Sequence, residues 1–142
     1  MSRSIFDLCD CIRPIAQQLL RESHEKFGWG MVIVDTIRTP EEQCQNIINK
    51  VSWTDRSKHL PQPGCNKSHA IDLAPSHLIA MKNWGPAHPD WDTLGALGES
   101  LGLEWGGRWK QRDAPHFQVT VQHDLVRMAA IQSDVTPPTT PA

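Results

Sequence analysis

The sequence predicts a single α+β domain. Three observations carry that reading. Apolar residues recur at three- and four-residue steps in residues 4–27 and again in 89–101, the period of an amphipathic helix. Short apolar and β-branched runs at 31–37, 69–73 and 116–121 have the length of strands. The two kinds of segment mix without strict strand–helix–strand alternation, which favours α+β over a helix-wrapped parallel sheet. A chain of 142 residues is long enough for one hydrophobic core. The domain is expected over residues 1–132, with 133–142 a Pro- and Thr-rich disordered tail.

In residues 4–27 the apolar stripe is Ile5, Leu8, Ile12, Ile15, Leu19 and Leu20, and Ser4 stands where a helix cap belongs. Pro14 interrupts the pattern and should break or kink the segment, giving two helices. Gly28-Trp29-Gly30 ends it, and residues 31–37 read as a strand. Thr39-Pro40-Glu41-Glu42 reads as a helix start, with a capping Thr, Pro in the first turn and acids after it, running to about Lys50. Residues 51–67 read as irregular, with Pro61, Pro63 and Gly64. A short strand follows at 69–73, then a second irregular stretch at 76–89 holding Gly85, Pro86 and Pro89. Residues 89–101 form a helix with Trp91, Leu94, Leu97 and Leu101 on one face, ending at Gly102. Strands at 103–105 and 116–121 flank the turn Trp105-Gly106-Gly107-Arg108-Trp109, and 124–131 is expected to be a closing helix.

Composition excludes several classes of function. A net charge of −2 leaves no electrostatic footprint for nucleic acid. No stretch reaches the ~20 apolar residues of a membrane span. The first ten residues carry acids and no continuous apolar run, unlike a secretory leader, so synthesis in the cytoplasm is expected. Cys9, Cys11, Cys44 and Cys65 form no Cys-x-x-Cys pair, which argues against a Cys-type zinc finger, and they read as reduced thiols. A monomer is expected.

The chemistry gathers on His59, Asp72 and His116, with Asp113 three positions before the last. Two imidazoles and one carboxylate, with a fourth position for water, make up a catalytic zinc site, whereas structural sites are closed and rich in Cys. A neighbouring acid is what an activated water needs as general base. Taken singly each residue is ordinary: the chain has seven histidines, and Asp72 or Asp113 can cap a turn. Asp72, however, lies in the apolar run Ala70-Ile71-Asp72-Leu73, where a carboxylate needs a partner. His116 likewise opens an apolar strand, and strand-borne ligands hold their geometry. A competing reading is a cysteine hydrolase using Cys65 or Cys44 with a His, but no supporting motif surrounds either thiol.

These residues resemble the zinc DD-peptidases, which include VanY-type D-Ala-D-Ala carboxypeptidases and the L-alanyl-D-glutamate endopeptidases of phage endolysins. Ser57 and His59 match the start of that family's Ser-x-His-x-x-Gly-x-Ala-x-Asp motif, and Ala70 and Asp72 match its end. Trp105-Gly106-Gly107 with Trp109 matches a Trp-Gly-Gly region, and Asp113, His116, Phe117 and Gln118 match the last motif. Arg38-Thr-Pro-Glu-Glu-Gln43 looks like the family's Arg-Ser-x-x-Glu-Gln segment. The resemblance spans roughly residues 32–119. Two departures stand out. Twelve residues separate His59 from Asp72 where the family has six, as though 61–67 were an inserted loop, and Ser68 replaces a Gly. His69 is a rival first ligand, but three positions before Asp72 in a strand it points to the opposite face.

The resemblance implies a small antiparallel sheet with helices packed on one side, of the hedgehog/DD-peptidase type. It implies Zn2+ held by His59, Asp72 and His116, with Asp113 as base and Arg38 stabilising the developing oxyanion. Ser57, Trp105 and Trp109 are candidates to meet substrate. The implied partner is a peptidoglycan stem peptide, and the implied role is a phage or prophage endolysin that reaches the cell wall after a holin opens the membrane. A D-Ala-D-Ala carboxypeptidase is the alternative within the fold. A non-catalytic binding or tail-assembly module is the alternative outside it, and retention of Asp113 argues against that.

Overall fold

Pro14 decides how the N-terminal apolar run folds. Ser4 caps a 3-10 turn at Ile5–Asp7, its side chain accepting from the Phe6 N–H. Helix α1 then starts afresh at Arg13–Phe27 with Pro14 in its first turn, where no N–H is needed. The expected break is therefore present, with residues 8–12 linking two separate elements. Gly28 closes α1 in the left-handed region, at φ +70°, and its N–H returns to His24 O.

The computed structural model describes residues 2–39, 41–42, 57–85 and 87–120. Its elements continue with β1 (Met31–Asp35), β2 (Ala70–Pro75), α2 (Ser76–Ala80), α3 (Pro89–Ser100), β3 (Glu104–Trp105) and β4 (His116–Gln118). The sheet is four-stranded, in the order β1-β2-β4-β3, and every pairing is antiparallel. The small antiparallel sheet expected from the family is thus present. Helix α2 departs from the irregular 76–89 stretch: Pro75 ends β2 in extended geometry and Ser76 N–H donates to Gly30 O, after which one turn buries Leu78. Thr39 and Glu42 cap one another reciprocally as a helix start requires. The rest of that helix, the closing helix at 124–131 and the tail at 133–142 lie outside the described residues.

One face of the sheet makes the core. Ile71, Phe117 and Trp105 stand opposite one another across β2, β4 and β3, and all are buried. Helix α3 packs against this row so closely that a methyl at Gly98 would sit 2.3 Å from Phe117, and one at Gly95 2.2 Å from Trp105. Leu8, Ile12, Ala16 and Leu19 from the N-terminal segments fill the same core with Leu94 and Leu97. Truncating a ring such as Phe117 in such packing costs ~3–5 kcal/mol. The sheet is therefore a rigid plate, and its other face is free to carry polar side chains.

Candidate metal centre

Strand register lines up the acids and imidazoles. Asp35 in β1 faces Asp72 in β2, and Asp72 faces His116 in β4. Successive residues of a strand alternate faces, so this row lies opposite the Ile71–Phe117–Trp105 row. Asp35 joins it through an irregularity: Ile33 pairs with Leu73 but Asp35 pairs with Asp72, leaving Val34 as an additional residue. Without that bulge Val34 would face Asp72 and the Asp35 carboxyl would point to the other side.

His59 enters from the loop before β2. Ser57 Oγ accepts from its backbone N–H at 3.1 Å, and its carbonyl accepts from Arg38 N–H at 2.8 Å. Its Nδ1 lies 2.6 Å from the Thr36 carbonyl. A carbonyl only accepts, so Nδ1 carries the proton and Nε2 presents a lone pair. That Nε2 is 3.1 Å from Asp72 Oδ1. His116 is the mirror case: Nε2 donates to Gln118 Oε1 at 2.8 Å, and Nδ1 lies 3.1 Å from the same Asp72 oxygen.

Two nitrogen lone pairs and a carboxylate oxygen thus converge, all within 4.8 Å of one another. Three acceptors so placed repel unless a proton or a cation lies between them. The set suits zinc: two imidazole nitrogens, one carboxylate, and an outer hydrogen-bond acceptor orienting each ring. Burial works against charge on Asp72, but His59 and His116 outweigh it and hold its carboxyl well below the usual carboxylate range. Burial lowers proton affinity at His116, yet the hydrogen bond and charge of Asp72 raise it overall.

Asp113 sits beside the convergence, its Oδ2 3.9 Å from His116 Nδ1. Burial, then the negative charge of Asp72, push its pKa upward. Its N–H donates to Gly106 O at 2.9 Å, and its carbonyl accepts from His116 N–H at 3.2 Å. A Cβ on Gly106 would fall 2.6 Å from Asp113 O, so the Trp-Gly-Gly turn needs glycine there for the acid to come close.

The remaining sequence candidates separate into distinct positions. Arg38 donates from Nε and Nη2 to Asp35 Oδ2, at 3.2 and 2.5 Å, and so is tied to the donor row through β1. Ser57 holds the His59 turn and is itself buried, which makes it a support for a ligand rather than a contact for one. Trp105, a candidate to meet substrate, lies in the core instead. It is 1% exposed, wedged against Gly95 and Gly107, and its Nε1 donates to Ala114 O, so it braces the Asp113 turn from behind. Trp109 is half-buried, with its ring 4.9 Å from that of His116 and Nε1 donating to Glu104. His69 is not among the three donors, and its Nε2 lies 3.3 Å from Cys65 Sγ instead.

Sequence reasoning passed over Asp35. Its Oδ1 is buried with no hydrogen-bond partner among the described residues, and burial raises its pKa. The signal was there: a carboxylate ends the apolar run Val32-Ile33-Val34, the argument already applied to Asp72. Gln118 was seen as a motif match but not as the group that fixes the His116 ring. Among the described residues no helix is long and apolar enough to cross a membrane.

The chain is similar to several known proteins. Residues 50–119 match the family model described as D-alanyl-D-alanine carboxypeptidase. The chain is 35% identical over 113 residues to the L-alanyl-D-glutamate peptidase of Listeria phage A118, covering 78% of this chain and 37% of that protein. It is 28% identical over 116 residues to the L-alanyl-D-glutamate peptidase of Escherichia phage T5, covering 76% of this chain and 80% of that one. The chain thus spans just over a third of the first relative and four-fifths of the second. The crystal structure of the L-Ala D-Glu endopeptidase ChiX of Serratia marcescens shares the fold, with a TM-score of 0.62 at 20% identity, over 85% of this chain and 89% of that one.

Proposed function

We propose that this chain, which belongs to the zinc DD-peptidase family, is a zinc-dependent endopeptidase that cleaves the L-alanyl–D-glutamate bond of peptidoglycan stem peptides. One observation carries the reading: His59 Nε2, Asp72 Oδ1 and His116 Nδ1 converge beside the Asp113 carboxylate. Both phage relatives bear the name of that activity. Zinc, when bound by these three side chains, supplies positive charge that polarises a carbonyl and acidifies water.

The chain's own residues do the rest. Asp113 accepts the proton of the attacking water and returns it to the departing D-Glu amine. Asp35 holds Arg38 at the donor row, and there the guanidinium is the candidate to stabilise the developing oxyanion. Trp109 gives the stem peptide an apolar wall next to His116. The protein works as a monomer on the cell wall, reached from the host cytoplasm after a holin opens the membrane, a setting supported by the phage origin of both relatives.

Digestion of isolated peptidoglycan tests the reading. Mass spectrometry should find a new amine on D-Glu and a new carboxylate on L-Ala, with activity lost to a chelator and restored by zinc. Asp113→Ala should keep zinc at this centre and lose kcat by about 10²–10⁴-fold. Activity that survives chelation overturns the metal reading, and an active Asp113→Ala overturns the base. The matched family's description supports a second reading, in which terminal D-Ala is released instead, and the same digest separates the two.

A further inference from the structure

Among the described residues a second group of potential ligands lies apart from the first. Cys9, Cys65 and His69 bring two sulfurs and an imidazole nitrogen within 4.8 Å of one another. They come from three separate segments: the link before α1, the loop before β2, and the residue that leads into β2. We propose that they form a second cation site, for zinc or another thiophilic divalent ion, which ties the loop at 61–67 to the N-terminal segment.

The backbone around all three is fixed. Leu8 bridges Ser68, Cys9 N–H donates to Ser68 O at 2.9 Å, and Ser68 N–H donates to Asp7 O at 3.0 Å. Cys65 is turned inward between Gly64, at φ +91°, and Asn66, at φ +56°, in a loop closed by Gln62 N–H to Lys67 O. His69 is held on both sides, its N–H on Lys58 O and its carbonyl under Val119 N–H. Cys9 and His69 are buried, and Cys65 is half-buried.

The donor chemistry selects the ion. Thiolate and imidazole together suit zinc and its soft neighbours and do not suit magnesium or calcium. Cys65 Sγ lies 3.3 Å from His69 Nε2. Two such donors on one tetrahedral zinc, with Zn–S and Zn–N bonds of about 2.3 and 2.0–2.1 Å, stand roughly 3.5 Å apart. A Cys9–Cys65 disulfide would account for the sulfurs and leave His69 without a part. The three donors leave water as the fourth ligand, and binding displaces the thiol protons to solvent.

Cobalt(II) distinguishes this site from the other, because only thiolates give an intense near-ultraviolet charge-transfer band with it. The metal-stripped, reduced full chain, titrated with Co2+, should take up two equivalents and show that band. Cys65→Ser should bind one equivalent without the band, whereas His116→Ala should bind one and keep it. A measurement on the unaltered chain guards against a variant that fails to fold: zinc should protect Cys9 and Cys65 from alkylation, mapped by mass spectrometry, and leave Cys11 reactive. One equivalent without the band, equal alkylation with and without zinc, or a Cys9–Cys65 disulfide in the unreduced protein would each overturn the proposal.

Discussion

Strand β2 has a donor group at each of two places, and they are built in opposite ways. Asp72, within the strand, meets imidazoles set by sheet register and by a loop whose backbone is pinned at Ser57 and Arg38. His69, just ahead of the strand, meets two cysteines presented by a tight turn and by the N-terminal segment. In the first group each ring is aimed by a second acceptor, Thr36 O or Gln118 Oε1, and an acid waits alongside. At the second group Cys65 Sγ donates to the Lys67 carbonyl at 3.7 Å. A sheet that must hold three atoms still while chemistry changes around them differs from a loop that needs only to be kept in place.

Asp72→Asn breaks the comparison most severely. It takes away the charge that both imidazoles face and that keeps His116 basic. Zinc should leave the His59/His116 group, and hydrolysis should fall by on the order of 10³-fold, which is ~4 kcal/mol in barrier. The cobalt–thiolate band should be unaffected. A loss of both signals together would mean that the two groups are one cooperative unit, and would remove the distinction drawn above.

Gly106→Ala attacks the first group through its backbone. The added methyl would lie 2.6 Å from Asp113 O and 3.1 Å from His116 Cβ, and neither is a flexible side-chain end. Relief requires the Asp113 turn to move. We expect a stability loss of about 1–3 kcal/mol in urea unfolding. A shift of the acid by around 1 Å should lower kcat by about 10²-fold. Unchanged kcat in a folded variant would show that the position of Asp113 is not critical.

How much of this could be read in the sequence depended on whether a residue declared its own chemistry. Asp72 and His116 did, because metal-binding types standing in apolar strands are unusual, and His59 and Asp113 joined them through the distinctive order of the set. Pro14 marked a break and Thr39-Pro40 a helix start because proline's missing N–H acts locally. Helix α2 was invisible, since a single turn between Pro75 and Gly85 rests on Leu78 reaching the core and not on a repeating stripe. Asp35 was legible as a carboxylate ending an apolar run, but its face was not, because strict alternation through the bulge at Val34 assigns it the wrong one. Cys9 and Cys65 were illegible as partners because a Leu8–Ser68 bridge across the fold brings them together. Trp105 misled in the other direction: a motif tryptophan near a site is as well placed to brace it as to line it.

Gln118→Leu makes the smallest change and sharpens the comparison most. Leucine keeps the apolar bulk at the end of β4 but removes the acceptor 2.8 Å from His116 Nε2. The imidazole can then place its proton on Nδ1, the atom that faces Asp72, which blocks a cation there. The cost falls on metal affinity, not on the chemical step, because Asp113 and its turn are untouched. Zinc Kd, measured by chelator competition, should rise on the order of 10-fold, with kcat at saturating zinc unchanged. Gln118→Glu, which retains an acceptor oxygen, should keep the affinity. An unchanged Kd in the Leu variant would show that the ring is oriented by packing against Trp109 alone, and the contrast between an aimed centre and a merely anchored one would lose its clearest support.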